Sequence, residues 1–417
     1  MSDDMKMTPH ALRTVVKRFA GARRQHRLNL ASGSTSVSEN GILRVRIPRG
    51  LVDLSTFCLN ATVALDDTND RILGGHTLVR RVVATIGGVQ VGGGNNNWGL
   101  TAHAMNVATQ SLEWDRSNAN SGTYPFDAAA NGDNISLNYW PLSPMGMGMV
   151  ASQFTGDIEI EIQFAGVEAL VTVQGQTADA ADGFTLSNIF ATVDVIEMED
   201  DTYLRSIEGA LRNGATYQKA VDLATSQVQE NNGANSFNIS CSSLQKVLVA
   251  PKASAYATKA AQGAAQMWSD YLDAPVGAVY PAANYGFYLS IGTQDFPAYG
   301  HGNNYAQLSD ITRSCYGASP YNFNKLFYTT DGSGSALGTA APKIDKAGFT
   351  ADNGFVLFPV GAFDEEGKEG GIDLSSGNSL ITVNTQGANL LSRKLLMAGI
   401  HRSKVEARAG QVVSIVL

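Results

Sequence analysis

The chain has 417 residues, of which 44% are hydrophobic and 16% charged, with 43 glycines and a formal net charge of −8. Single cores stop growing near roughly 250–300 residues, so one core is excluded and two domains are expected. The charged share is well below the ordinary ~25%, which leaves Ser, Thr, Asn, Gln and Gly to form much of the polar surface, and the net acidity excludes a global attraction to nucleic acid or anionic lipid.

The N-terminal segment differs from everything after it. Lys6, Arg13, Lys17, Arg18, Arg23, Arg24 and Arg27 face only Asp3 and Asp4. Leu12, Val15, Val16 and Phe19 follow the i, i+3, i+4, i+7 spacing of an amphipathic helix, with Thr8 at the N-cap and Pro9 at the first helical position. Residues 1–27 therefore read as a basic amphipathic arm. It has two open roles: packing on its own domain, or contact with an anionic layer of lipid or nucleic acid through Arg13, Lys17, Arg18, Phe19, Arg23, Arg24 and Arg27. The first thirty residues lack the apolar core of a signal peptide, and no stretch reaches the ~20 apolar residues of a membrane span, so a soluble product made in the cytoplasm is expected.

From Leu28 the texture is that of strands. "GILRVRIPRG" alternates Leu43, Val45 and Ile47 with Arg44 and Arg46, and "STFCLNATVAL" continues in the same style. "RRVVATIGGVQVGGG" sets Gly87-Gly88 between apolar runs, the signal of a two-residue hairpin turn with positive φ at both positions. A phosphate-cradling loop would need the GxGxxG order and a following helix, and both are missing from the pattern. Residues 95–150, with "GGGNNNWG" and "SPMGMGMV", show no period and read as long loops. "DIEIEIQFAGVEALVTV" and "FTLSNIFATVDVIEM" return to strands. Between Tyr203 and Gln229, Leu204, Ile207, Leu211, Tyr217, Val221 and Leu223 read as a helical connector interrupted by a glycine. "SFNISCSSLQKVLVAP", "YGFYLSIG", "NGFVLFPVGAF" and the C-terminal run are again strand-like. The expected organisation is an arm at 1–27, a first β unit at 28–200, a helical connector at 201–235 and a second β unit at 236–417. Short strands between tight turns and long loops, in two similar halves, predict an all-β chain of tandem sandwiches.

The strongest case for catalysis is "GDIEIEIQF". Period two puts Ile158, Ile160, Ile162 and Phe164 on one face and Asp157, Glu159 and Glu161 on the other. "DIEIE" resembles the strand-borne acids, Glu-x-Asp-x-Glu, of the laminarinase and lichenase type of glycosidase, with the first two acids exchanged, so Asp157 stands where that family has its nucleophilic Glu. Acids two apart on a strand are ~7 Å apart, and a retaining mechanism needs carboxyl groups ~5–5.5 Å apart. The same row is equally the polar face of a strand. Elsewhere the histidines show no HxH or HExxH and the cysteines (Cys58, Cys241, Cys315) no CxxC, so no metal or cofactor is expected; no GxSxG elbow or P-loop occurs. "DEEGKEGG", Asp364–Gly371, lacks the order of a calcium loop and reads as an acidic hairpin tip.

Taken together, the basic arm (Thr8–Arg27), the first β half (Leu28–Met198), the helical connector (Tyr203–Gln229) and the second β half (Ser236–Leu417) resemble the major capsid proteins of tailless icosahedral viruses, bacteriophages among them, built on the double jelly roll. The resemblance lies in layout over the whole chain and in no short motif. It implies two tandem jelly-roll β-sandwiches with a helical connector and a short N-terminal helix. It further implies a non-enzymatic structural protein of the virion. That protein forms pseudo-hexagonal homotrimers, contacts neighbouring capsomers and penton proteins, binds no specific nucleic-acid sequence and turns its arm toward an internal lipid membrane. Asp157, Glu159 and Glu161 would then be solvated or paired with a neighbouring subunit's bases. The alternatives are a glycoside hydrolase using those acids, and a phage tail or carbohydrate-binding β module.

Overall fold

The computed structural model describes residues 21–28, 30, 35–66, 70–72, 75–109, 133–166, 170–172, 183–198, 202–252, 286–298, 311, 328–329, 343–344, 356–361, 370–375, 380–386, 394–408 and 411–416. Strands of the first half are β1 (Gly21–Leu28), β2 (Val37–Ser38), β3 (Ile42–Arg46), β4 (Leu51–Leu65), β5 (Asp70–Ile72), β6 (Val79–Ile86), β7 (Val89–Val91), β8 (Asp133–Leu137), β9 (Met149–Ala151), β10 (Ile158–Phe164), β11 (Leu170–Thr172) and β12 (Phe184–Met198). One sheet runs β1-β12-β4-β8, with β2 on β12 and β9 on β4, and a second runs β3-β10-β6-β7, while β5 and β11 form a separate ribbon.

Alternation explains these pairings. On β10 the three isoleucines and Phe164 are buried while Glu159 and Glu161 stay partly exposed. β4 and β12 are each 15 residues long and change phase once. β4 buries Val52 and Leu54, then Phe57, Leu59, Ala61, Val63 and Leu65. The shift is fixed by Thr56, whose hydroxyl donates to Asp53 O at 2.7 Å and accepts from Asp194 N at 2.9 Å. On β12 the phase shifts at Asn188, whose φ of 51° is one that Asn tolerates better than most residues. Between β6 and β7, Gly87 and Gly88 have φ of 53° and 89°, the hairpin turn expected from the sequence.

Several elements depart from the sequence reading, strands β8 and β9 within the expected loops of 95–150 among them. Within the expected loops of 95–150, Trp98–Thr109 is a helix, α1. Trp98 stacks on Trp140 with centroids 5.2 Å apart, and its Nε1 donates to Pro141 O at 2.9 Å. Gly99 lets the helix approach: a Cβ there would stand 2.4 Å from Val79 O and 2.6 Å from His76 O. The expected connector is helical only over Thr202–Arg212, α2. It ends in a Schellman motif: Gly214, at φ 86°, donates its N–H to Leu211 O at 3.0 Å and Ala215 donates to Ala210 O at 3.0 Å. The chain then runs on as strand β13 (Thr216–Glu230), because Val221 and Leu223 satisfy period two as well as a helix.

The second half continues with β14 (Ala234–Asn238), β15 (Leu244–Lys252), β16 (Gly286–Ile291), β17 (Gln294–Phe296), β18 (Tyr328–Thr329), β19 (Lys343–Ile344), β20 (Val356–Pro359), β21 (Leu380–Gln386), β22 (Lys394–Arg408) and β23 (Gln411–Val416). One sheet is β13-β22-β15-β20 with β23 on β22, another is β14-β21-β16-β17, and β18 pairs with β19. β13 pairs with β22 from Thr216↔Arg408 to Glu230↔Lys394, so it belongs to the second sandwich. Phe237, Phe287 and Phe358 anchor that core.

The two cores meet. Val221, Leu223 and Val405 pack into the first core, while Leu100 and Met105 of α1 pack into the second. A polar latch borders this seam: the Ser226 hydroxyl donates to Asn95 Oδ1 at 2.7 Å and accepts from Asn97 Nδ2 at 3.2 Å, and Ser226 N donates to Gly94 O at 3.2 Å.

Candidate functional site

The acidic row is built by the register of β10 against β3, Glu159↔Arg46 and Glu161↔Arg44. Arg44 Nε donates to Glu161 Oε2 at 2.9 Å, Arg46 Nε lies 3.5 Å from Glu159 Oε2, and Arg49 Nε donates to Asp157 Oδ1 at 2.8 Å. The hydrogen bond and charge of Arg49 hold the Asp157 carboxyl below the usual carboxylate range and raise the Arg49 guanidinium in turn. A general acid needs the opposite, a carboxyl raised toward neutrality by an apolar setting. Each acid is thus engaged by an arginine of its own chain, where the sequence reading expected solvent or a neighbouring subunit's base.

The basic residues at the other candidate site are likewise placed by a strand. Arg23, Arg24 and Arg27 lie on β1, paired along its length with β12 from Gly21↔Met198 to Leu28↔Ala191, so residues 21–27 belong to the first sheet where the sequence reading had them in the arm. Arg23 bridges Asp53 and Asp194, the latter at 2.9 Å. Arg24 Nη1 lies 3.2 Å from Glu197 Oε2, and the Arg27 guanidinium sits 4.8 Å above the Phe190 ring. These three are therefore held by the sandwich and are not part of a free arm. Arg13, Lys17, Arg18 and Phe19 lie outside the described residues, as do Cys315 and nearly all of the "DEEGKEGG" stretch.

Two further titratable side chains, His401 and Cys241, are buried. His401 is buried, with Nε2 3.2 Å from Thr225 Oγ1 and Nδ1 3.0 Å from Ser403 Oγ. Burial lowers its pKa to about 4, against a smaller opposing effect of Asp222. Burial pushes the Cys241 thiol up to about 11, an unreactive state. Among the described residues no three His, Cys, Asp or Glu side chains gather as a metal site, and no helix is long and apolar enough to cross a membrane. The sequence reading missed the seam latch of Asn95, Asn97 and Ser226. Its only trace was the "GGGNNNW" run.

No family model matches the chain, and no curated protein matches it in sequence. Solved structures do match. The PBCV-1 virus capsid superposes with a TM-score of 0.59 at 11% identity, over 98% of this chain and 99% of that one. The Faustovirus major capsid protein gives 0.57 at 10% identity, over 98% and 93% of the two chains. The chain has the double jelly-roll fold of major capsid proteins. The Sputnik virophage structure agrees, with a TM-score of 0.51 at 10% identity over 100% of this chain and 92% of that one. Within the double jelly roll, the acidic row occupies the outer face of the first roll's four-stranded sheet, and the seam latch joins the two rolls.

Proposed function

We propose that the chain is a major capsid protein, a structural, non-enzymatic component of an icosahedral virion. The observation that carries this reading is the extent of the likeness: 98% of this chain and 99% of the PBCV-1 capsid chain superpose. The spent acids of β10 support a structural use of that sheet face.

In this reading the protein forms homotrimers whose six jelly rolls make a pseudo-hexagonal tile, which meets neighbouring capsomers and penton proteins. Broad polar sides that bury few unpaired charges suit such packing. Any contact with an internal lipid layer falls to Arg13, Lys17, Arg18 and Phe19, since Arg23, Arg24 and Arg27 are held in β1. Each basic residue near an anionic membrane contributes about 1 kcal/mol, so that attachment is salt-sensitive. The reading is tested by light scattering and negative-stain imaging of the purified protein. Six-lobed trimers are expected; a stable monomer at micromolar concentration contradicts the proposed capsomer.

A further inference from the structure

Arg81 is the arginine on the outer face of the β3-β10-β6-β7 sheet that the acidic row leaves aside. It stands opposite Gln163, and its nearest carboxylate along β10, Glu161, is taken by Arg44 at 2.9 Å. The side chain is only partly exposed, and its Nε is buried with no hydrogen-bond acceptor among the described residues. Buried donors in native proteins are nearly always satisfied, and a charged one left alone is costly.

The described surroundings add two further side-chain amides. Gly93, in the glycine run after β7, lies between two side-chain ends: a Cβ there would be 2.8 Å from Gln90 Nε2 and 3.3 Å from Arg81 Nη2. Two residues on, Asn95 is buried and its Nδ2 also lacks an acceptor among the described residues. Asn95 Oδ1 is the occupied end of that amide, accepting from the Ser226 hydroxyl at 2.7 Å and from Asn97 N at 3.1 Å.

The same chain shows what fills such a guanidinium edge. Arg402 gives its Nε to Asp222 Oδ1 at 2.8 Å and its Nη2 to Asp222 Oδ2 at 3.2 Å, a side-on fork on one carboxylate. We propose that Arg81, with Gln90 beside it and Gly93 keeping the space clear, is a binding site for a carboxylate group. The group comes either from a free small carboxylate or from an acidic side chain of a second copy of this chain. Only the second source rests on the capsid reading.

The test titrates the full-length protein with sodium acetate against sodium chloride at matched ionic strength and neutral pH, reading the thermal midpoint, and measures self-association by sedimentation. Three variants are compared with the parent. Arg81→Lys keeps the charge but not the fork. Gly93→Ala crowds two flexible side-chain ends and leaves the backbone undisturbed. Arg46→Gln removes an exposed arginine elsewhere on the face. A saturable acetate response that weakens roughly tenfold or more in Arg81→Lys and falls in Gly93→Ala, with Arg46→Gln unchanged, establishes the site for a free carboxylate. No acetate response, but association weakened about tenfold by Arg81→Lys and not by Arg46→Gln, assigns the carboxylate to a second copy. Acetate response and association that are the same in the parent and in Arg81→Lys overturn the proposal and leave Arg81 simply hydrated. Loss of the site in a protein that still forms trimers leaves the capsid reading intact, so the two fail separately.

Discussion

Glu161 Oε2 accepts from Arg44 Nε at 2.9 Å across the β3–β10 register, and this contact turns a would-be catalytic acid into half of a cross-strand ion pair. Exposed pairs of this kind are worth ~0–1 kcal/mol. Replacing Glu159 and Glu161 together with Gln removes two such pairs and is therefore expected to change the urea unfolding free energy by no more than about 2 kcal/mol. β-Glucan hydrolysis by the parent, abolished in the double variant, would instead place the chemistry on β10.

The seam predicts a larger effect from a smaller change. Ser226→Ala leaves Asn95 Oδ1 and Asn97 Nδ2 without their shared hydroxyl at a buried junction. The expected cost is about 1–3 kcal/mol, seen as a lower midpoint in chemical denaturation. Two separate transitions in the variant, against one in the parent, would show that the latch couples the rolls. An unchanged midpoint would show that it does not.

His401 sets a pH dependence. Its folded-state pKa is depressed to about 4, from a usual value near 6.5. The unfolded chain therefore binds the extra proton first, and stability falls as pH drops from about 6.5 toward 4, then levels off for this residue. The full loss is bounded at about 3 kcal/mol. His401→Gln should flatten the stability profile across that window. A variant with the same slope as the parent would assign the dependence to other groups.

Two glycines should respond in opposite directions to alanine. At Gly99 the new Cβ meets backbone oxygens of Val79 and His76 at 2.4 and 2.6 Å, so Gly99→Ala is expected to cost about 1–3 kcal/mol or more. At Gly209, inside α2, nothing lies within 4 Å of the new Cβ, and Gly209→Ala is expected to stabilise by about 0.5–1 kcal/mol. Thermal unfolding of the two variants checks both signs.

How far each element could be read from its residues depends on how it is buried. β10 was legible because one face is dry and the other wet, and Gly87-Gly88 because the turn demands positive φ. α1 was not, because it gives Trp98 and Ala102 to one core and Leu100 and Met105 to the other, which erases a one-sided stripe. β1 was assigned to the arm because its residues 22–25 are exposed on both faces and alternate with nothing. β13 was read as a continuation of the helical connector, and only the Schellman turn at Gly214 ends that helix and lets Val221 and Leu223 follow period two. The acids were visible at once, but their arginine partners are more than a hundred residues away in sequence.

The most direct test of the central claim is the protein content of purified particles, measured by quantitative peptide mass spectrometry on intact shells. If the chain is the building block of the capsid, it is the most abundant protein in those shells and remains so after the genome is removed. Its absence from them, or its presence only in trace amounts, would contradict the account.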